Sequence, residues 1–311
     1  MIRVATRRSP LALLQAEEVA AQLRGLGAEV KIVPMRTEGD RRAAARLAEI
    51  GGKGLFVREL EQALLAGDAD VAVHSLKDLP AELPDGLVLA VYPEREAPHD
   101  VLVTRRDATL DTLPDGAVVG TSSPRRRALL LAARPDLVVE SLRGNVETRL
   151  HKLESARLDA VILAAAGLRR LGLVPSQAVA LPIETVVPAV GQGVLAVQTR
   201  RDDDRILRWL ESLDHAPTRA AAIAERAFLS RLGASCTTPI AGHARLDRAC
   251  GGGPVLLITA LVISEDGRRV VRASASGAPE HAEAIGRDVA ETLLERGAAS
   301  IAPLLQEESL R

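Results

Sequence analysis

Short apolar runs alternate along the chain with amphipathic stretches, and the alternation predicts strands and helices in turn. Ile2 to Thr6 alternates as a strand does. Ser9-Pro10 supplies an N-cap and a first-turn proline, which predicts a helix to about Leu26, ended by Gly27. Val30 to Met35 reads as the next strand, so the chain opens on a strand–helix–strand unit. Thr37 to Gly54 is polar, small and Gly-rich and reads as a mobile loop. Glu59 to Leu65 resumes a helical period, and Asp70-Val-Ala-Val-His74 is a buried strand running into Ser75-Leu76-Lys77-Asp78. Ends of strands in open α/β sheets are where ligands sit.

The same rhythm returns further on. Ala117 to Gly120 is a strand, Thr121-Ser-Ser-Pro124 a cap, and Arg125 to Ala133 a helix ending before Pro135. Leu137 to Leu142 is a strand, followed by Arg143-Gly144-Asn145, a helix from about Val146 to Ala156 and a buried strand, Asp159 to Leu163. Proline-bearing segments at Tyr92 to Pro98 and Pro182 to Pro188 bracket this second unit and suit paired hinge crossings. After Trp209 the style changes to a helix from about Thr218 to Leu232, a loop with Cys236, a hairpin of Val255 to Ile263 and Arg269 to Ala275 turning at Glu265-Asp266-Gly267, and a last helix. The expected architecture is therefore two similar α/β domains plus a smaller C-terminal α+β domain. Their bounds are 1–93 with 194–212, 98–188, and 216–311.

Composition narrows the function classes. A formal net charge of -1 and an aromatic fraction of 1% argue against nucleic acid as a partner. The longest apolar stretch, Ala160 to Leu168, is too short for a bilayer, whose core takes about 20 helical residues. The N-terminus shows no export signal, so a cytoplasmic location is expected. Two cysteines, Cys236 and Cys250, are too few for a disulfide framework. A special cysteine here would be a nucleophile or an attachment point, and placement alone ranks neither above a buried inert thiol.

The positions of the arginines are the sharpest anomaly. Cations oppose the positive end of a helix dipole, yet Arg7 and Arg8 precede the first helix, Arg125, Arg126 and Arg127 open another, and Arg143 precedes the next. Such placement implies anions, because helix N-termini offer N–H groups and guanidinium adds a bidentate fork. Gly51-Gly52-Lys53-Gly54 lacks the spacing of a phosphate-binding P-loop, so the anion is not expected to be a nucleotide. Asp78 at a strand end could stabilise a cation and relay protons or could simply be a turn aspartate, and His74 reads as a core histidine.

Several segments resemble the porphobilinogen deaminase family. They are Ala5-Thr-Arg-Arg-Ser-Pro-Leu-Ala12, Gly51-Gly-Lys-Gly-Leu-Phe-Val57, Val73-His-Ser-Leu-Lys-Asp78, Gly120-Thr-Ser-Ser, Ser141-Leu-Arg-Gly-Asn145, Ala165-Ala-Gly-Leu-Arg-Arg-Leu171, Pro188-Ala-Val-Gly-Gln-Gly193 and Ala224-Glu-Arg-Ala227. The resemblance implies an enzyme that condenses four porphobilinogens head to tail, releases ammonia each time and hydrolyses off linear hydroxymethylbilane, which passes to the next tetrapyrrole enzyme. It implies a dipyrromethane cofactor held as a thioether on Cys236, no metal, a monomer, and a periplasmic-binding-protein-like fold. By position, Asp78 would contact pyrrole N–H groups and stabilise the azafulvenium formed as ammonia leaves. Arg7, Arg125, Arg126, Arg143, Arg149 and Arg170 would bind acetate and propionate side chains. Ser9, Lys53, Ser75, Lys77, Thr121, Ser122, Ser123, Gly144 and Gln192 would support them, and Phe56 would sit in the loop that covers the site. The chain departs from the family pattern at Pro124, Ala234-Ser235 and Glu49.

The competing readings are a non-catalytic anion-binding module and a DNA-binding regulator. The first needs no reactive cysteine and usually carries an export signal. The second needs a helix-turn-helix, and no segment reads as one.

Overall fold

The computed structural model describes residues 1–36, 57–155, 157–233, 238–248 and 252–302. The chain divides into two compact units, Met1–Glu96 with Gly193–Arg219, and Ala97–Gln192 with Ala220–Arg311.

In the first unit, β1 (Ile2–Arg7), α1 (Pro10–Gly25), β2 (Val30–Met35), α2 (Arg58–Leu65), β3 (Val71–Ser75) and β4 (Leu87–Val91) come before the crossing. The second unit continues with β5 (Asp100–Thr104), β6 (Val118–Gly120), α3 (Pro124–Ala133), β7 (Val138–Glu140), α4 (Val146–Ser155), β8 (Ala160–Ala164), α5 (Ala165–Arg170) and β9 (Ala178–Ala180). The chain then returns to the first unit as β10 (Leu195–Arg200) and α6 (Asp204–Leu210). It finishes with α7 (Ala216–Leu232), β11 (Ile240–Arg248), β12 (Pro254–Ile263), β13 (Val270–Gly277) and α8 (Ala282–Glu295).

Local chemistry starts these helices as the sequence predicts. Ser9 Oγ accepts from Ala12 N at 3.3 Å with Pro10 in the first turn of α1. Ser123 Oγ accepts from Arg126 N at 3.4 Å at the start of α3, and Asn145 Oδ1 from Thr148 N at 2.8 Å at the start of α4. Gly27 takes the left-handed φ of 92° that ends the first turn-out.

The two five-stranded sheets repeat one plan. Their orders are β2-β1-β3-β10-β4 and β7-β6-β8-β5-β9. In each, three parallel strands are followed by an antiparallel strand, β10 or β5, and then an edge strand. Alternate residues feed opposite faces. Val71, Val73, Leu195 and Val197 pack under α1 and α6, whereas Ala5, Ala72 and Leu87 pack with Leu60 and Leu64 of α2.

The third expected domain belongs to the second compact unit. Its sheet, β11-β12-β13, buries Leu256, Ile258, Ala260 and Val262 against α7 and α8, while Leu261 and Ile263 join the core of Leu102, Val119, Leu130 and Ile162. A strand apolar on both faces is buried on both faces. The turn after β12 closes the join: a Cβ on Gly267 would lie 2.5 Å from Ala128 O of α3. The unit boundaries fall at Glu96/Ala97, at Gln192/Gly193 and, within α7, at Arg219/Ala220. Among the described residues, no helix is long and apolar enough to cross a membrane.

Candidate functional site

Carboxyl ends of the parallel strands carry the candidate residues in both units. In the first, β1 ends on Arg7 and leads to Ser9, while β3 ends on Ser75 and turns through Leu76–Asp78 as one turn of 3₁₀ helix. Arg7, Ser9, Ser75 and Asp78 line one pocket together with Leu11, Ala12, Gln15, Val57, Val73 and His74. Asp78 is exposed there, Arg7, Ser9 and Ser75 are half-buried, and Lys77 follows Leu76 half-buried in the same turn.

The structure adds two members to this group. Gln15 is buried on the α1 stripe of Ala12, Ala16 and Val19, and its Nε2 donates to Ser75 Oγ at 2.8 Å. A glutamine inside an apolar helical stripe is a signal the sequence did offer. His74, read as a core residue, is buried as expected but also reaches the pocket. Its nitrogen Nε2 lies 2.9 Å from Gln198 Oε1, and burial, aided by Arg7, pushes its pKa down to about 4.

In the second unit, Thr121, Ser122 and Ser123 follow β6, Arg143 and Gly144 follow β7, and Arg170 closes α5 after β8. Ser122 Oγ lies 2.9 Å from Ser141 Oγ and donates to Leu142 O at 2.8 Å, and Ser123 N donates to Thr121 Oγ1 at 3.2 Å. Gly144 has φ 121°, and its carbonyl accepts from Arg149 Nε at 2.9 Å. Burial lowers the pKa of Arg149, and the neighbouring charge of Arg126 adds to this.

Arg125 and Arg126 open α3 as the sequence predicts, and together with Gln192 they surround an internal carboxylate. Both arginines are buried and share Asp100, which is fully buried at the start of β5. Arg125 Nη2 meets Asp100 Oδ2 at 2.7 Å, Arg126 Nε and Nη2 meet Oδ1 at 3.0 and 2.7 Å, and Gln192 Nε2 donates to Oδ1 at 3.0 Å. Arg125 Nη1 also donates to Val187 O, and Arg126 Nη1 to Ile162 O. Burial opposes the charge on Asp100, but both guanidiniums and the hydrogen bonds from Arg126 and Gln192 outweigh it and hold the carboxyl well below the ordinary range. For this cluster the first anion is therefore internal. Two guanidiniums against one carboxylate leave one net positive charge, +2 − 1 = +1. The sequence signal for it was Asp100 itself, a charge set directly against an apolar strand.

Cys236, Cys250, Lys53, Phe56, Glu49 and the loop from Thr37 lie outside the described residues, as do Ala234 and Ser235.

Each α/β unit by itself sets cations and hydroxyls at the carboxyl ends of its parallel strands, and the first adds the carboxylate of Asp78. Residues 2–208 match the model of the porphobilinogen deaminase dipyromethane cofactor binding domain, and residues 220–295 that of the porphobilinogen deaminase C-terminal domain. A porphobilinogen deaminase from Brevibacillus brevis is 46% identical over 308 residues, 98% of each chain. Another, from a Geobacillus species, is 45% identical over 313 residues, 100% of this chain and 99% of its own. Among solved structures, an ABC-transporter periplasmic substrate-binding protein from Coxiella burnetii matches 73% of this chain and 97% of its own at 18% identity, with a TM-score of 0.42. The chain belongs to the porphobilinogen deaminase family, and its first matched domain is the one that binds the dipyrromethane cofactor. The donor set fits that group, whose pyrrole N–H groups call for an acceptor such as Asp78 and whose carboxylates call for guanidinium, hydroxyl and helix-start N–H donors.

Proposed function

We propose that the protein is a hydroxymethylbilane synthase, a transferase that joins four porphobilinogens head to tail with loss of ammonia and then releases the linear product by hydrolysis. The observation that carries the proposal is the seating of an exposed carboxylate, Asp78, in one pocket with Arg7, Ser9 and Ser75, in a chain whose family is that of the deaminases. When bound, the dipyrromethane supplies the terminal pyrrole to which each new unit is added.

The residues divide the work by charge. Asp78 accepts hydrogen bonds from pyrrole N–H groups and stabilises the cation that develops on the substrate as ammonia departs, because a carboxylate placed in advance costs no reorganisation when the charge appears. It also holds and passes on the proton lost at the new bond. Arg7 and Ser9 take a side-chain carboxylate at the start of α1, with Gln15 keeping Ser75 in place. Thr121, Ser122 and Ser123 at the start of α3, with Arg143, Gly144, Arg149 and Arg170, take further carboxylates, and the residual positive charge of Arg125 and Arg126 favours the same sign of ligand. Lys53, Lys77 and Phe56 complete the set by position in the family motifs, and Cys236 anchors the primer. A cytoplasmic, monomeric enzyme handing its product to the next tetrapyrrole enzyme completes the reading.

Asp78→Asn tests the role at the centre of this scheme. The variant should keep the added mass of the primer yet lose about a hundredfold or more in single-turnover rate, the scale of a missing acid/base group. A variant that turns over at the wild-type rate removes Asp78 from the chemistry.

A further inference from the structure

One line of polar side chains interrupts the aliphatic layer between the first sheet and α2. Ala5, Leu60, Leu64, Ala72 and Leu87 form that layer, yet His74, Gln198 and Glu61 are buried beside it. Antiparallel pairing sets Ala196 opposite His74 and Gln198 opposite Ala72, so Gln198 is the diagonal neighbour of His74 on the same face. His74 Nε2 lies 2.9 Å from Gln198 Oε1, and Gln198 Nε2 donates to Glu61 Oε1 at 3.2 Å. Aliphatic side chains would fill these positions at less cost, since buried polar groups are tolerated only when each is bonded. The line ends at the pocket that holds Asp78, because His74 is one of its lining residues.

The line has a direction. The Glu61 oxygen accepts, so the amide of Gln198 turns its NH₂ toward α2 and its oxygen toward β3. That oxygen can only accept, so His74 Nε2 carries the hydrogen and Nδ1 keeps its lone pair. Among the charged groups around it, Arg7 of β1 and Asp78 of the turn after β3 line the same pocket as His74, and Glu61 of α2 is linked to it through Gln198 of β10. Burial and Arg7 both oppose an imidazolium there.

We propose that Gln198 and Glu61 are positioning residues that hold His74 as the neutral Nε2–H imidazole, so that Nδ1 accepts a hydrogen bond from the aminomethyl group of porphobilinogen. The proposal rests on the deaminase reading above and specifies where the leaving nitrogen is received. At neutral pH that group is an ammonium ion. A neutral acceptor beside Asp78 admits it, whereas an imidazolium next to Arg7 would repel it.

The test is the ring ¹⁵N spectrum of His74 in ¹⁵N-histidine-labelled holoenzyme, assigned by its loss in His74→Asn. The expected result is one protonated nitrogen, Nε2, unchanged between about pH 5.5 and 8, the range in which an ordinary imidazole titrates. An Nδ1–H tautomer, or a midpoint near the ordinary value, overturns the proposal. Gln198→Met removes the acceptor at nearly constant volume. It should retain the primer, release the tautomer lock and lower kcat about tenfold, the worth of one hydrogen bond, without adding an acidic limb to the pH–rate profile, because the lost acceptor had favoured the imidazolium. A variant that only melts earlier, with kcat and the ring ¹⁵N spectrum unchanged, shows a packing role and also overturns it. If Gln198→Met does not fold, the wild-type spectrum decides alone. Failure of the deaminase reading is separate, since it would show as no consumption of porphobilinogen by wild-type protein whatever the tautomer of His74.

Discussion

Removing the carboxylate of Asp100 would leave Arg125 and Arg126 buried side by side with no anion between them. Breaking a buried pair in this way costs about 3–5 kcal/mol, so Asp100→Asn should lower the denaturation midpoint far more than an exposed substitution such as Asp136→Asn. Asp100 and His74 also give the protein an acid limb in two parts. His74 titrates near 4 when folded and near 6.5 when unfolded, so below about pH 6.5 the unfolded chain binds the extra proton. Stability from this group therefore falls from about pH 6.5 to 4, by on the order of 3 kcal/mol. Asp100 has its folded pKa depressed, so its contribution is present above the ordinary carboxylate value of about 4 and is lost as pH falls below it. Glu61, pushed up by burial, acts with the opposite sign, and the His74 part is thus read as the difference between wild-type and His74→Asn melts at pH 7 and about 4.5. At this scale the sequence displayed Arg7, Ser9 and Asp78 at the ends of predicted strands. It could not display the pairing of Asp100 with Arg125 and Arg126, because that contact joins the start of one strand to the first turn of a helix two elements later.

Elements were legible where local chemistry marks their ends. The capped helices α1, α3 and α4 and the apolar strands β2, β3 and β8 fall within a residue or two of their expected limits. β10 and β11 were not legible, for a physical reason. Leu195–Arg200 carries Gln198 and Thr199 into the core, and Ile240–Arg248 has only Ile240 and Leu246 as large apolar residues among Ala, Gly, His and charged residues, so pairing with β3, β4 and β12 makes both strands. Start of α4 offers a direct test of how an element positions the site. Gly144 holds a φ of 121°, and a Cβ there would lie 2.6 Å from Thr148 Cγ2. Gly144→Ala should cost about 1 kcal/mol or more and, by displacing Arg143 and Arg149, raise KM for porphobilinogen more than it lowers kcat. Steady-state kinetics together with a thermal melt check both parts.

On the scale of the whole molecule, the returning rhythm of strand, Ser-Pro cap and helix, at Ser9-Pro10 and Ser123-Pro124, pointed to two similar α/β units, and their matching strand orders show the same plan. The return of the chain as β10 carries no local mark, since nothing in a six-residue strand says which sheet it joins. The apolar run Leu261-Val262-Ile263 at the end of β12 was the readable sign that this end of the C-terminal sheet is covered on both faces and packs within the second unit. Gly267→Val would force a left-handed turn and drive a side chain into Ala128 O, so it should loosen the hairpin from α3 and broaden the urea transition of the second unit. A sharp, unshifted transition would show that the turn contributes nothing to the join. The central claim, a deaminase that carries its own primer on Cys236, is tested most directly by intact mass of protein made with porphobilinogen available. The account predicts a mass greater than that of the sequence by one dipyrromethane, lost in Cys236→Ser. A wild-type mass equal to the bare sequence would contradict it.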